Sequence, residues 1–415
     1  MPMPKPTRRK ATHLLSAREL RGLAQLATQG TLGVTDIVEG MHQAVWSRLG
    51  MQGRREEEKA RSAGLTGLVY RSIRGSTRLL GRGVDQLLAA WPADESQEAR
   101  EPSPQRLALL AALNGVMGDH LAESGNPLAL AMTVQNPDAL SAAPTGHLLL
   151  LIHGLCMNDL QWRSVNEGGH SHDHGEVLAR ALGASRLYLR YNSGRHISEN
   201  GRDLAQLLQQ TVDAWPVPVT RITLIGHSMG GLVARSGVKL AQDQGLGWRE
   251  RVHSLVCLGS PHQGAPLERA GHWVDLLLGS NRHSAPLARL GQLRSAGITD
   301  LRHGLVQDAD WQGRDRFAAG PVPHQALPLP AGIACYALAG TTAAKRSPMA
   351  DRLLGDGLVP LRSALGEHED PSLRLDFAPE ARHIAYRTGH LQLLSSPAVS
   401  RQLLAWLAPS PASSS

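Results

Sequence analysis

The chain has 415 residues, 42% of them hydrophobic and only 4% aromatic, so it can bury a large core built from Leu, Val, Ile and Ala. Its three cysteines, Cys156, Cys257 and Cys335, are odd in number and far apart, which argues against a disulfide framework and for a reducing compartment. The net charge is +7, yet residues 1–90 hold 15 basic and 7 acidic side chains, which leaves −1 for the remainder; a basic surface of this kind attracts phosphate, but no nucleic-acid motif accompanies it and nucleic acid is not expected as a partner.

In chain order, residues 1–12 read as a disordered basic tail, with no apolar run behind it and so no evident secretory signal. The longest apolar stretches, near Leu107–Leu113 and His147–Ile152, fall well short of a bilayer span. Residues 13–140 read as an N-terminal helical segment: apolar side chains recur at helical spacing at Leu20, Leu23 and Leu26, at Ile37, Met41, Val45 and Leu49, and at Leu79, Leu80, Val84, Leu87 and Leu88. Pro92–Pro104 is charged and Pro-containing, a loop; a helix is expected over Gln105–Leu121, then a turn-rich stretch from Glu123 to Thr145. Arg71, Arg74, Arg78 and Arg82 interleave with Val69, Ile73, Leu79 and Leu80. That pattern suits an exposed face of a helical bundle, and also a basic helix lying on an anionic membrane. The expected location is cytoplasmic, with peripheral membrane contact through these helices as the open alternative.

The texture changes near residue 141. Apolar runs at His147–Gly154, Arg186–Asn192, Arg221–Ser228 and Val252–Pro261 alternate with helical patterns at Glu176–Leu182, Glu199–Trp215 and Gly230–Gln242. Further strands are expected in Gly332–Thr341 (GIACYALAGT) and Leu373–Ala378 (LRLDFA), and a closing helix from Ser396 or Pro397. Continuous rather than alternating apolar strands imply a sheet covered on both faces. The expected fold class is therefore α/β: a doubly wound, mostly parallel sheet over 141–410. An insertion at about 263–325, partly helical at Trp273–Leu278 and Ala285–Leu293, is expected to lie over the carboxyl edge of the sheet.

One strand turns directly into a helix at Gly226-His227-Ser228-Met229-Gly230, a G-x-S-x-G pattern. Such a turn strains the serine backbone and exposes its hydroxyl at a helix N-terminus, where unpaired N–H groups favour developing negative charge. A serine nucleophile needs a base, and the base needs an orienting acid, in the chain order Ser, Asp or Glu, His. Asp356, between Gly355 and Gly357 after an expected strand, is the carboxylate a tight loop would best present; Asp351, Asp370 and Asp376 compete with it. His390, after a glycine and before the last helix, is preferred over His383. The oxyanion donors expected for such a turn are the Met229 N–H and, from the loop after the first strand, the Leu155 N–H. Cys156 has no base placed by sequence and reads as a small buried residue.

These segments, Ile152–Asn158 (IHGLCMN), Leu224–Arg235 (LIGHSMGGLVAR), Leu258–Pro266 (LGSPHQGAP), Gly355–Pro360 (GDGLVP) and Gly389–Leu394 (GHLQLL), resemble in that order a lipase/esterase of the α/β-hydrolase superfamily. The chain is similar to the bacterial branch near GPI inositol-deacylase catalytic domains and triacylglycerol lipases. The resemblance implies hydrolysis of an acyl or lipid ester through an acyl-enzyme, with Ser228, Asp356 and His390 as nucleophile, acid and base, and with Leu155 and Met229 at the oxyanion. It implies no metal and no organic cofactor, and it does not extend to residues 1–140. Two other readings stay open: an acyltransferase on the same site, and a membrane-associated binding or scaffold protein on a relic hydrolase fold.

Gly169-His170-Ser171-His172-Asp173-His174 has the look of a metal site, but a helix should follow directly, which favours a loop with Asp173 or Ser171 as the cap. Tyr191–His196 either lines the pocket or is a polar turn after a strand. His227 is expected to pack behind the elbow.

Overall fold

The computed structural model describes residues 21–29, 82, 103–139, 141–165, 171–265, 295–315, 326–345 and 355–408. The helical patterns expected over Ile37–Leu49 and around Val69–Leu88 (residue 82 apart) and at Trp273–Leu278 and Ala285–Leu293 lie outside the described residues. The chain divides into two compact units, Met1–Arg106 with Gly125–Leu128, and Leu107–Ser124 with Ala129–Ser415. In the first, residues 21–29 are helical, and Gly22 O accepts a hydrogen bond from Asn126 Nδ2 at 3.0 Å.

The second unit takes in most of helix α1 (Pro104–Glu123) and strand β1 (Thr133–Gln135), both upstream of the boundary expected at 141. Then come β2 (His147–Ile152), a small antiparallel hairpin of β3 (Arg163–Val165) and β4 (Ser171–Asp173), α2 (His174–Leu182), β5 (Ser185–Arg190), α3 (Ile197–Asp213), β6 (Arg221–His227), α4 (Met229–Asp243) and β7 (Val252–Leu258). They are followed by α5 (Ala296–His303), α6 (Asp308–Trp311), β8 (Ala334–Thr341), α7 (Leu361–Ala364), β9 (Arg382–Tyr386) and α8 (Pro397–Leu407). Seven strands form one sheet in the order β1-β5-β2-β6-β7-β8-β9. Every pairing is parallel except that of β1 with β5, where Thr133 faces Arg190.

The apolar runs explain this arrangement. Leu148, Leu149, Leu150, Leu151 and Ile152 have no exposed surface, so β2 is covered on both faces, and each such side chain contributes about 2 kcal/mol on burial. The helices start and stop where their end residues allow. Asp173 caps α2 by accepting the Glu176 N–H at 3.2 Å, and Gly183 closes it in the left-handed conformation at φ 62°. Pro397 occupies the first turn of α8, after Ser396 at the cap.

One expected strand is absent. Residues 373–378 (LRLDFA) form no strand: a 3-10 turn over Pro371–Leu373 leads into an irregular run, so Asp376 does not sit in a strand either. Leu375 and Phe377 are buried at a spacing of two, which imitates a strand, but the Leu375 N–H bonds back to Gly366 O at 2.9 Å instead of to a neighbouring strand. The place beside β8 is taken by β9, with the half-polar sequence RHIAY. Strands β1, β3 and β4 have three residues each, too few for an alternating pattern to show in sequence.

Candidate active site

Four loops meet at the carboxyl edge of the sheet, after β2, β6, β8 and β9. The chain passes from β6 to α4 through Ser228 alone, with φ 54° and ψ −121°, a region that side-chain-bearing residues avoid at about 1–3 kcal/mol. Neighbouring backbone holds it there: the Ser228 N–H donates to Leu258 O at 2.8 Å. The flanking glycines are required by close approach, since a Cβ on Gly230 would lie 2.7 Å from His153 O and one on Gly226 would run into the Gly231 backbone. Ser228 Oγ is buried and, among the described residues, has no hydrogen-bond partner.

Asp356 divides its carboxylate between two tasks. Oδ1 accepts the Leu358 and Val359 N–H groups at 3.0 and 2.8 Å, which fixes the turn after β8. Oδ2 accepts from His390 Nδ1 at 2.6 Å, and the His390 N–H donates to Asp356 O at 3.0 Å. A carboxylate only accepts, so the Nδ1 of His390 carries the proton and the lone pair of the neutral ring sits on Nε2. Both residues are buried, His390 at 2% and Asp356 at 3% exposure, in a low-dielectric setting that strengthens their bond.

His227 ties the elbow to the His390 turn. Its Nε2–H donates to His390 O at 3.1 Å and the two rings lie 4.6 Å apart. Burial, and then the neighbouring His390, hold its pKa well below the usual histidine value, so His227 is a neutral strut. The loop after β7 closes under the pair: a Cβ on Gly259, at φ 57°, would lie 3.2 Å from Asp356 Oδ2 and 3.3 Å from His390 Cε1.

The loop after β2 reaches the elbow from the other side. Gly154 passes so close that a Cβ there would lie 3.0 Å from Ser228 Cβ. Leu155 follows, buried, and among the described residues no acceptor is hydrogen-bonded to its N–H. Met229 is the first residue of α4, where a backbone N–H has no partner within the helix. Cys156 is buried and its thiol is pushed up to about 12, so it stays protonated and is no thiolate nucleophile.

Sequence reasoning missed the braces of this loop. His153 Nδ1–H donates to Gly154 O at 2.8 Å, and its Nε2 accepts the Tyr191 N–H at 3.4 Å. Its ring stacks on Tyr191 at 4.3 Å, and burial lowers its pKa to about 4. Tyr191 OH donates to His153 O at 2.9 Å, and Ser193 Oγ accepts the Cys156 N–H at 3.0 Å. Tyr191, Asn192 and Ser193 are buried, the first and last bonded to the loop after β2 and Asn192 to Gly118 of α1.

In the comparison with protein families, residues 143–325 match the model of the PGAP1-like alpha/beta domain. The match takes in Leu155, Ser228 and Met229, while Asp356 and His390 lie beyond its end. Among solved structures the chain is similar to a mature lipase of Bacillus licheniformis (15% identity, 66% of this chain and 96% of that one, TM-score 0.42). It is also similar to a thermophilic esterase of Thermogutta terrifontis (15% identity, 67% and 92%, TM-score 0.34) and to the naproxen esterase of Bacillus subtilis (16% identity, 66% and 86%, TM-score 0.34). A search of curated protein sequences gives no match.

The remaining candidates fall elsewhere. His383, on β9, lies edge-on to Trp406 at 6.3 Å. Asp370 is exposed and bonded to Ser372, and Asp351 lies outside the described residues. His172 and His174 meet at Ser400, whose Oγ lies 2.9 and 2.6 Å from their ring nitrogens, and Asp173 caps α2. His170 lies outside the described residues, and no metal-holding group of His, Cys, Asp and Glu occurs among the described ones. No helix among the described residues is long and apolar enough to cross a membrane.

Proposed function

We propose that this domain hydrolyses carboxylic esters through Ser228, His390 and Asp356. The observation that carries the reading is the Asp356 Oδ2 to His390 Nδ1 bond of 2.6 Å at the same sheet edge as a strained serine elbow. His390 Nε2 takes the Ser228 proton as Oγ attacks the acyl carbon. The Leu155 and Met229 N–H groups receive the oxyanion, and Asp356 stabilises the imidazolium. The imidazolium gives its proton to the departing alkoxide, which leaves an acyl-serine. Water then attacks that ester, passes a proton to His390, and the acid departs as Ser228 regains its hydrogen. Every protein group named comes from this chain, and the protons balance: the one taken from Ser228 leaves on the alcohol, and one from the water replaces it.

The test is turnover of a short-chain nitrophenyl ester together with labelling by a fluorophosphonate. Wild type should show both, and Ser228→Ala should lose labelling and at least about 10³-fold in kcat, the scale on which a triad nucleophile acts. Equal rates in the two proteins, or a wild type that neither labels nor turns over, would favour the relic-fold reading instead. Product analysis with a lipid alcohol present distinguishes transfer of the acyl group from hydrolysis.

A further inference from the structure

The loop that bears Leu155 is held from behind, and one of its supports comes from upstream of the 143–325 family match. Cys156 stands in the left-handed region at φ 58°, a conformation a side-chain-bearing residue leaves unless it is held. Two contacts hold it. Ser193, at 1% exposure, accepts the Cys156 N–H on its hydroxyl at 3.0 Å. From the other side Gly115 of α1 presses on the same residue: a Cβ there would lie 2.8 Å from Cys156 Cα and 2.9 Å from its N, and would overlap its sulfur.

Helix α1 is itself locked in place. It kinks at Met117, between Gly115 and Gly118. Gly115 O accepts from Ser295 Oγ at 2.7 Å, and Asp119 Oδ2 accepts the Ala296 N–H at 2.9 Å, which joins α1 to the start of α5. Gly118 O accepts from Asn192 Nδ2 at 2.8 Å, one residue before Ser193. The helix and the loop after β5 thus form one clamp on Cys156. The Cys156 amide is committed to Ser193, while the Leu155 amide next to it has no acceptor among the described residues.

We propose that Ser193 and Gly115 are positioning residues that set the oxyanion amide of Leu155, and that α1 is a working part of the hydrolase site. The inference rests on the ester-hydrolase reading above. It is tested on the full chain with the nitrophenyl ester, measuring kcat, KM, the pH–rate profile and the melting temperature of wild type, Ser193→Ala, Ser193→Thr and Gly115→Ala. Removing an oxyanion donor outright costs about 10²–10³-fold in kcat, so displacing one should cost about tenfold. Ser193→Ala should show that loss with KM within about twofold and an unshifted pH profile, because the bond between Asp356 and His390 is untouched. Ser193→Thr, which keeps the hydroxyl, should recover most of the rate, and Gly115→Ala should lose kcat as Ser193→Ala does. A folded Ser193→Ala with wild-type kcat overturns the proposal. If that variant does not fold, Gly115→Ala decides by the same criterion, and failure of both to fold also overturns it, since the clamp would then be only a brace. A wild type silent to ester and fluorophosphonate sinks the hydrolase reading itself, a different result from an active wild type with an indifferent Ser193→Ala.

Discussion

At Asp356 the two carboxylate oxygens have separate partners, Oδ1 the turn amides and Oδ2 His390. Asp356→Asn keeps an oxygen for the Leu358 and Val359 N–H groups but offers His390 the wrong partner. We expect kcat to fall about 10²–10⁴-fold with little change in melting temperature. Asp356→Ala should lose the same activity and also the turn bonds, each worth about 1 kcal/mol, and melt several degrees lower, at about 2–4 °C per kcal/mol. Kinetics and calorimetry on the two variants check this division; equal melting of Asn and Ala variants would contradict it. The pairing of Asp356 with His390 was legible because G-x-S-x-G and chain order point to local features, a glycine-flanked aspartate and a histidine before the last helix. Ser193 was not legible, because its partner is the backbone of a loop 37 residues away in sequence, and nothing in the run Tyr191–His196 names that partner.

At the level of elements, apolar continuity made β2, β5, β6, β7 and β8 readable, and cap residues made the ends of α2 and α8 readable. The misreading of 373–378 shows why a period of two is not enough: burial at alternate positions needs only a covered segment, whereas a strand needs a free ladder edge, and β9 fills the one beside β8. Helix α1 was foreseen as a helix but not as part of the same compact unit as the sheet, because its docking depends on glycines that leave no hydrophobic signature. The junction of β4 and α2 gives a direct test of element stability. Buried Asp173 accepts the Glu176 N–H at 3.2 Å and the Tyr188 OH at 2.6 and 2.7 Å, and lies 3.5 Å from Arg186 and 3.7 Å from Arg163. Burial, and then Asp173, push the Tyr188 hydroxyl up, so it stays a donor. Asp173→Ala removes the cap and strands the buried Tyr188 hydroxyl, while Arg186 keeps Asp138, for about 2–4 kcal/mol. Calorimetry should show a drop of about 5–10 °C, and a change below about 2 °C would contradict the account.

For the whole molecule, the buried histidines dictate how stability depends on pH. Burial lowers His153 and His174 to about 4 and holds His227 and His262 well below the usual value. His262 also faces the Arg235 guanidinium, which donates to its Nδ1 at 3.1 Å. In the unfolded chain these rings take up protons near pH 6.5, while in the folded one they do not until far lower. The unfolded state therefore binds more protons as the pH falls. Stability should be level above about pH 7 and decline below about 6.5, by up to about 1.4 kcal/mol per pH unit for each histidine. Melting curves from pH 7.5 to 5 should show this decline, and His262→Gln, which can still accept from Arg235, should make it shallower. A melting temperature constant over that range would refute the argument.

The antiparallel strand β1 has a social role as well as a structural one. It occupies the outer edge of β5 and lies before the first residue of the family match. A protein trimmed to the matched span would leave the N–H and C=O row of β5 bare, and a second copy could add its own strand there. Ten residues or so beyond the recognised boundary thus cover a strand edge that would otherwise be open to pairing.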